Sequence, residues 1–172
     1  IVKIHFKDVL GDGNNISFTP KGIARKLYSG DKIYIDFDCV ILNVIKREKN
    51  YCLAIVENDG IVGSNKAVNV DRMIDLNTIT EKDKKAIEIG RNMGVKNYAL
   101  SFTQSRDDIV KMRKLIGEDT NLICKVESMK ALINLEEIID STDQILIDRG
   151  DLSRQVSLEK IPFLQRRIIS AA

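Results

Sequence analysis

The apolar residues of this chain change period near residue 74. That change limits the fold more than any other feature, because a period of two belongs to strands and one of about 3.6 to helices. Residues 1 to about 73 read as short strands. Ile1 to Phe6 alternates, and Lys32 to Val44 and Tyr51 to Val56 are β-branched runs. Turn residues separate them at Gly11-Asp-Gly-Asn-Asn15, Ser29-Gly30, Lys49-Asn50 and Asn58-Asp-Gly60. Strands this short and closely spaced predict a small antiparallel β-barrel or part of one.

From about residue 74 helices and strands alternate. Thr80 with Asp83 opens a helix whose stripe is Ala86, Ile89 and Met93, ending at Gly94. Tyr98 to Phe102 is a short strand, and Ser105 with Asp108 caps a second helix with Ile109, Met112 and Leu115 or Ile116 on its face, stopped by Gly117. Leu122 to Val126 is the next strand. Ala131, Leu132, Leu135, Ile138 and Ile139 mark helical packing, Ile145 to Ile147 is a third strand, and Pro162 fits the first turn of a last helix. This succession is that of a parallel α/β sheet.

Charge collects where these strands end. In Ile123-Cys-Lys125-Val-Glu127, residues two apart face one side, so Lys125 and Glu127 project together. Asp151, in Asp148-Arg-Gly-Asp-Leu152, follows the apolar run Gln144-Ile-Leu-Ile147. Carboxylates from adjacent strand ends hold divalent metals at the C-terminal face of α/β barrels. A lysine beside them neutralises charge on a phosphate or an enolate. On spacing alone, the same residues serve equally well as structural ion pairs at strand termini.

Composition narrows the partners. The 27 basic and 25 acidic residues leave a net charge of +2 with no dense basic run, which argues against nucleic acid. Aromatic residues are 5% and Trp is absent, so base-stacking platforms are not expected either. No apolar stretch approaches the roughly 18 residues of a membrane span, and no signal-peptide pattern is present. Cys39, Cys52 and Cys124 lack metal spacing and read as reduced, mostly buried thiols of a cytosolic protein. His5 and Arg166-Arg167 read as surface residues, and Met93, Met112 and Met129 as core fillers. The Arg149-Gly-Asp151 tripeptide, following an apolar strand, does not read as an adhesion motif.

Thr80-Glu-Lys-Asp83, Ala99-Leu-Ser-Phe102, Cys124-Lys-Val-Glu-Ser128, Asn134-Leu-Glu-Glu-Ile138 and Arg149-Gly-Asp-Leu152 together resemble the middle of pyruvate kinase, in that family's order and near its spacing. Ile161-Pro-Phe-Leu-Gln165 stands where a family helix begins. Upstream, Gly30-Asp-Lys-Ile-Tyr-Ile-Asp36 resembles a strand of the family's lid, and Val68-Asn-Val70 the segment returning to the main barrel. The resemblance implies an α/β fold: part of a small antiparallel β-barrel lid at residues 1–73, joined to a partial TIM-type (β/α) barrel at 74–172 that holds its fourth to sixth strands. It implies phosphoryl transfer from phosphoenolpyruvate to ADP, giving pyruvate and ATP in glycolysis, by a cytoplasmic homo-oligomer. Glu127 and Asp151 match metal ligands for Mg2+ or Mn2+. Lys125 matches the lysine that stabilises the phosphoryl group and enolate, and the N–H groups of Gly150 and Asp151 match those receiving the substrate carboxylate. Lys66 and Asp36 resemble lid residues on the nucleotide side.

The family also uses K+, whose ligands lie outside this chain, as do an arginine and a threonine of its site. Ile1 is not a methionine and the pattern at Ala172 is still helical, so an excerpt is expected that is not a competent kinase alone and that self-associates, is completed by a partner segment or continues in further sequence. The chain also departs from the family pattern. Ser153 replaces a glycine, Asp148 a small residue, Thr103-Gln-Ser105 lacks an arginine, and Asp36-Phe-Asp38 replaces paired aspartates. Asp148 either adds metal affinity or pairs with Arg149. Two alternatives follow: a metal-dependent lyase or aldolase of the wider phosphoenolpyruvate/pyruvate barrel group, and a non-catalytic relative kept for binding or assembly.

Overall fold

The computed structural model describes residues 1–36, 39–74 and 76–172, and the chain divides into two units, Ile1–Leu76 and Asn77–Ala172. In the first unit the alternating runs become β1 (Val2–His5), β2 (Asn15–Ser17), β3 (Lys32–Ile35), β4 (Val40–Arg47), β5 (Tyr51–Val56) and β6 (Val68–Val70), in a sheet of order β2-β1-β5-β4-β3-β6. Alternation decides which side chains go inside: Ile4, Ile33, Ile35, Leu42, Val44, Cys52 and Ala54 are buried together with Phe6, Ala24 and Leu27. The register slips between Val44 and Lys46, a bulge after which β4 leaves the core. At the Asn58-Asp-Gly60 turn a Cβ on Gly60 would stand 2.4 Å from the Cys39 carbonyl oxygen, so only glycine fits there.

One expectation for this unit is corrected. The sheet is not wholly antiparallel, because Asn15, read as the end of a turn, starts β2 and runs parallel to β1. The cause is local: the Asp12 carboxylate accepts the N–H groups of Asn14 and Asn15, each at 2.7 Å, and the Lys3 N–H donates to Asn14 O at 2.7 Å. Phe37 and Asp38, two of the lid positions that depart from the family, lie outside the described residues.

In the second unit, β7 (Asn97–Leu100), β8 (Asn121–Val126) and β9 (Gln144–Ile147) form a parallel sheet with β8 in the middle. Helix α1 (Glu81–Asn92) precedes β7, α2 (Arg106–Ile116), α3 (Met129–Ile133) and α4 (Leu135–Ile139) run between the strands, and after β9 come α5 (Arg149–Leu152) and α6 (Ile161–Ala171). Capping boxes start α1 at Thr80/Asp83 and α2 at Ser105/Asp108, and Pro162 sits in the first turn of α6. Leu100, Leu122, Cys124 and Val126 are buried with Ile109, Met112, Leu135, Ile138 and Ile168. The intervening strand residues, Asn121, Ile123 and Lys125, are half-buried, so Lys125 stands off the core.

Several sequence expectations fail here. On α1 it is Ile87 that is buried, whereas Ile89 and Met93 are 60% and 77% exposed. The helix packs through Ile87 and Gly90, where a Cβ would come 3.2 Å from the Tyr98 hydroxyl oxygen, and the Ala86–Ile89–Met93 stripe is left exposed. Of the three methionines read as core fillers only Met112 is buried, Met129 being 38% exposed. The apolar positions between 131 and 139, read as helical packing, are divided between two helices. They part at Asn134, whose side-chain amide donates to the Gln104 carbonyl at 2.8 Å and fixes the break.

Candidate functional site

Strand β8 ends in Lys125 and Val126, with Glu127 one residue beyond, and β9 is followed directly by Asp148 and α5. Lys125 pairs with Leu146 and Val126 with Ile147, and the Asp148 N–H donates to the Val126 carbonyl at 3.2 Å. Parallel register therefore sets Asp148 beside Glu127. The carboxylates of Glu127, Asp148 and Asp151 each present an oxygen within 4.8 Å of the others. Lys125 Nζ stands 2.7 Å from Glu127 Oε2 and 2.9 Å from Asp148 Oδ2, with Ser101 Oγ at 3.5 Å. The structure thus brings together Lys125, Glu127 and Asp151, all named from the sequence.

Glu127 is 1% exposed. Its Oε1 accepts the Phe102 N–H at 2.5 Å, and Phe102 takes a left-handed φ of 53° in doing so. A non-glycine residue in that region is strained, so the turn after β7 is held open to aim its N–H at this carboxylate. No hydrogen-bond donor is aligned on Oε2 among the described residues; the Lys125 ammonium touches it as an ion pair, off the hydrogen-bond line. Burial pushes the Glu127 carboxyl up, against the downward pull of Lys125 and the Phe102 N–H, and nearby Asp151 adds to the rise. Burial acts downward on Lys125, but Glu127 and Asp148 outweigh it and hold the ammonium above its usual range. Asp148 is held low by Lys125 and by the Asp151 N–H.

Asp148 shows the largest difference from expectation. Among the described residues its ion pair is with Lys125, not Arg149. Its Oδ1 also accepts the Asp151 N–H at 3.2 Å, capping α5. The Asp151 N–H, assigned by resemblance to a substrate carboxylate, is therefore engaged by a carboxylate of the chain itself. Gly150 is open: a Cβ there would meet only Asp148 Oδ1, at 3.5 Å. Ser153, in a position of family glycine, turns its hydroxyl back onto the Gly150 carbonyl at 2.8 Å. Asp151 pairs with Arg154 at 3.4 Å. Thr103 is fully buried and donates to the Leu100 carbonyl at 3.0 Å, closing the turn that carries Phe102.

In the first unit, Lys66 and Asp36 pair with each other at 2.9 Å. Asp36 has a φ of 52°, so its carboxylate leaves the end of β3 from a left-handed turn. The thiols of Cys52 and Cys124 are buried and burial pushes both up, while Cys39 is exposed. No helix among the described residues is long and apolar enough to cross a membrane.

The carboxylate set fits a small divalent cation. Opposed oxygens around an octahedral ion with bonds near 2.1 Å stand ~4.2 Å apart, so the 4.8 Å span needs only a modest inward shift. The Lys125 ammonium already lies within ion-pair distance of both Glu127 and Asp148. Buried Oε2 lacks a directed donor, which is the condition a ligand oxygen needs.

Comparison with known proteins agrees with the architecture. A family model described as "Pyruvate kinase, barrel domain" matches residues 2–172. Among curated relatives, proteins named pyruvate kinase from Clostridium acetobutylicum and Thermotoga maritima are each 30% identical over 95% of this chain and 36% of their own length. One from Corynebacterium efficiens is 33% identical over 99% of this chain and 37% of its own. The chain thus spans about a third of the length of the relatives it matches. The expected fold, a partial (β/α) barrel with part of a β-rich lid, is borne out by this match and by the two sheets.

Proposed function

We propose that this chain, which belongs to the pyruvate kinase family, supplies the metal-and-lysine half of a site that transfers a phosphoryl group from phosphoenolpyruvate to ADP. The observation that carries this reading is the convergence of Lys125, Glu127 and Asp151 at the C-terminal ends of adjacent parallel strands. In the reaction the bond from phosphorus to the enol oxygen breaks, a bond to the ADP terminal oxygen forms, and the enolate takes a proton to become pyruvate.

Glu127 and Asp151 are the proposed ligands of Mg2+ or Mn2+, which when bound supplies positive charge to the transferring phosphoryl group and the enolate oxygen. Lys125 keeps its proton at Nζ, held by its two carboxylates, and presents fixed positive charge to the same group. The Gly150 and Asp151 N–H groups receive the substrate carboxylate, which requires Asp148 to give up the Asp151 N–H. Lys66 and Asp36 belong to the nucleotide side, Lys66 reaching a phosphate only by leaving Asp36. K+, a homo-oligomeric state and a cytoplasmic location complete the reading, with the K+ ligands, the arginine and the threonine supplied from outside these residues. The lyase and binding-protein alternatives gain nothing from the family match.

The test is a lactate-dehydrogenase-coupled assay with phosphoenolpyruvate and ADP on the full-length product. Metal-dependent pyruvate release is expected. Metal-dependent cleavage of phosphoenolpyruvate-related substrates without ADP dependence, or no turnover, would overturn it.

A further inference from the structure

Asp148 holds two contacts with its two oxygens. Oδ1 accepts the Asp151 N–H at 3.2 Å and so is committed to the start of α5, while Oδ2 faces Lys125 Nζ at 2.9 Å. The oxygen that faces inward is therefore not needed to hold the backbone. Asp148 also presents one carboxylate oxygen within 4.8 Å of oxygens from Glu127 and Asp151. Independently of that clustering, Glu127 is 1% exposed and its Oε2 has no aligned hydrogen-bond donor among the described residues. A buried carboxylate oxygen without a directed donor calls for a cation, and at present Lys125 fills that need.

We propose that Asp148 is a third carboxylate ligand of the divalent cation, and that the cation enters by displacing the Lys125 ammonium from between Glu127 and Asp148. This rests on the reading of Glu127 and Asp151 as cation ligands and extends it. Ligand charge count tunes the affinity of oxygen sites for hard divalent cations, so a third anionic oxygen tightens binding. The exchange also gives Lys125 a second position: released from two carboxylates, its ammonium is free to meet an anionic substrate. Cation entry and lysine release are then one event, and the lysine is a competitor for the site that it later serves.

The experiment is Mn2+ titration into the full chain, without substrate, followed by the electron paramagnetic resonance of free Mn2+. Asp148→Asn keeps Oδ1 as the α5 cap and replaces Oδ2 with a neutral amide. It is expected to weaken Mn2+ binding about tenfold. Lys125→Met removes the competitor and is expected to tighten binding by a similar factor. Glu136→Gln, an exposed charge removed from α4, leaves it unchanged. Thermal melts of each variant establish that the fold is retained.

If Asp148→Asn binds Mn2+ within twofold of the parent while Glu127→Gln and Asp151→Asn lose it, Asp148 is a helix cap only. The proposal then falls and the two-ligand reading stands. If Lys125→Met binds no more tightly than the parent, the exchange falls. If the parent itself binds no better than Glu127→Gln, the cation reading fails and this inference goes with it.

Discussion

Asp31 in the first unit and Glu127 in the second are both buried carboxylates touching a cation, at 6% and 1% exposure, yet their surroundings differ. Asp31 is fully satisfied: Arg72 Nε donates to Oδ1 at 2.7 Å, and Oδ2 accepts one of that guanidinium's terminal nitrogens and the Tyr28 N–H, each at 2.8 Å. Burial alone would raise its carboxyl, but Arg72 and the Tyr28 N–H hold it below the usual range. Glu127 sits with two further carboxylates, sharing one lysine with Asp148, and burial leaves it raised. One carboxylate is closed by hydrogen bonds on both oxygens; the other meets its cation on Oε2 as an ion pair alone. Unfilled coordination, more than burial or charge, is what separates a candidate site from a structural ion pair.

The largest expected effect tests whether the cluster around Glu127 works on a reaction. In the coupled assay, Lys125→Met should lower kcat by about 10²–10³-fold, the scale for removing a charge-stabilising group, with the fold retained. Near-parental turnover would reduce the cluster to the same kind of ion pair as Asp31–Arg72.

Stability should show the reverse asymmetry. Arg72→Ala strands Asp31 without its partner and should cost about 3 kcal/mol in chemical denaturation. Glu127→Gln keeps an acceptor for the Phe102 N–H while relieving a buried charge, so it should cost less than about 1 kcal/mol or stabilise. Equal costs at the two positions would erase the distinction.

Acid sharpens the comparison because the two carboxyls have opposite signs. Asp31 is lower in the folded state than its ordinary 3.8, so its stabilisation is complete above that value and lost as pH falls below it. The stability gap between the parent and Arg72→Ala should therefore narrow toward acid. Glu127 is raised, so its ionised form costs the folded state at neutral pH and protonation relieves that cost. Thermal melts from neutral to acid pH for the parent, Arg72→Ala and Glu127→Gln separate the two contributions. Thr80→Ala removes the capping box of α1 and should cost about 1 kcal/mol, read from the melt of the second unit.

Much of this was legible in the residues. Capping pairs at Thr80/Asp83 and Ser105/Asp108, the strand from Leu122 to Val126 and the shared face of Lys125 and Glu127 all follow from short-range rules. What escaped was set by contacts across the sequence. Neither the outward face of Ile89 and Met93 nor the break at Asn134 can be read from periodicity, since they depend on Tyr98 and the Gln104 carbonyl. The parallel strand β2 escaped because its sequence reads as a turn. Asp148 was nearer to hand: its offset from Ile147 repeats that of Glu127 from Val126, so parallel register alone places the two side by side. Phe102 carried no such signal, because its role depends on a left-handed backbone that its side chain does not favour.

The central claim is that the carboxylates at the ends of β8 and β9 hold a divalent cation where Lys125 now sits. A crystal structure of the protein in saturating Mn2+, with anomalous data, tests it most directly. An anomalous peak is expected within about 2.1 Å of Glu127 and Asp151 oxygens, with an Asp148 oxygen turned onto it and Lys125 Nζ moved away from both carboxylates. A map with no peak there, and Lys125 still paired to Glu127 and Asp148, would contradict it.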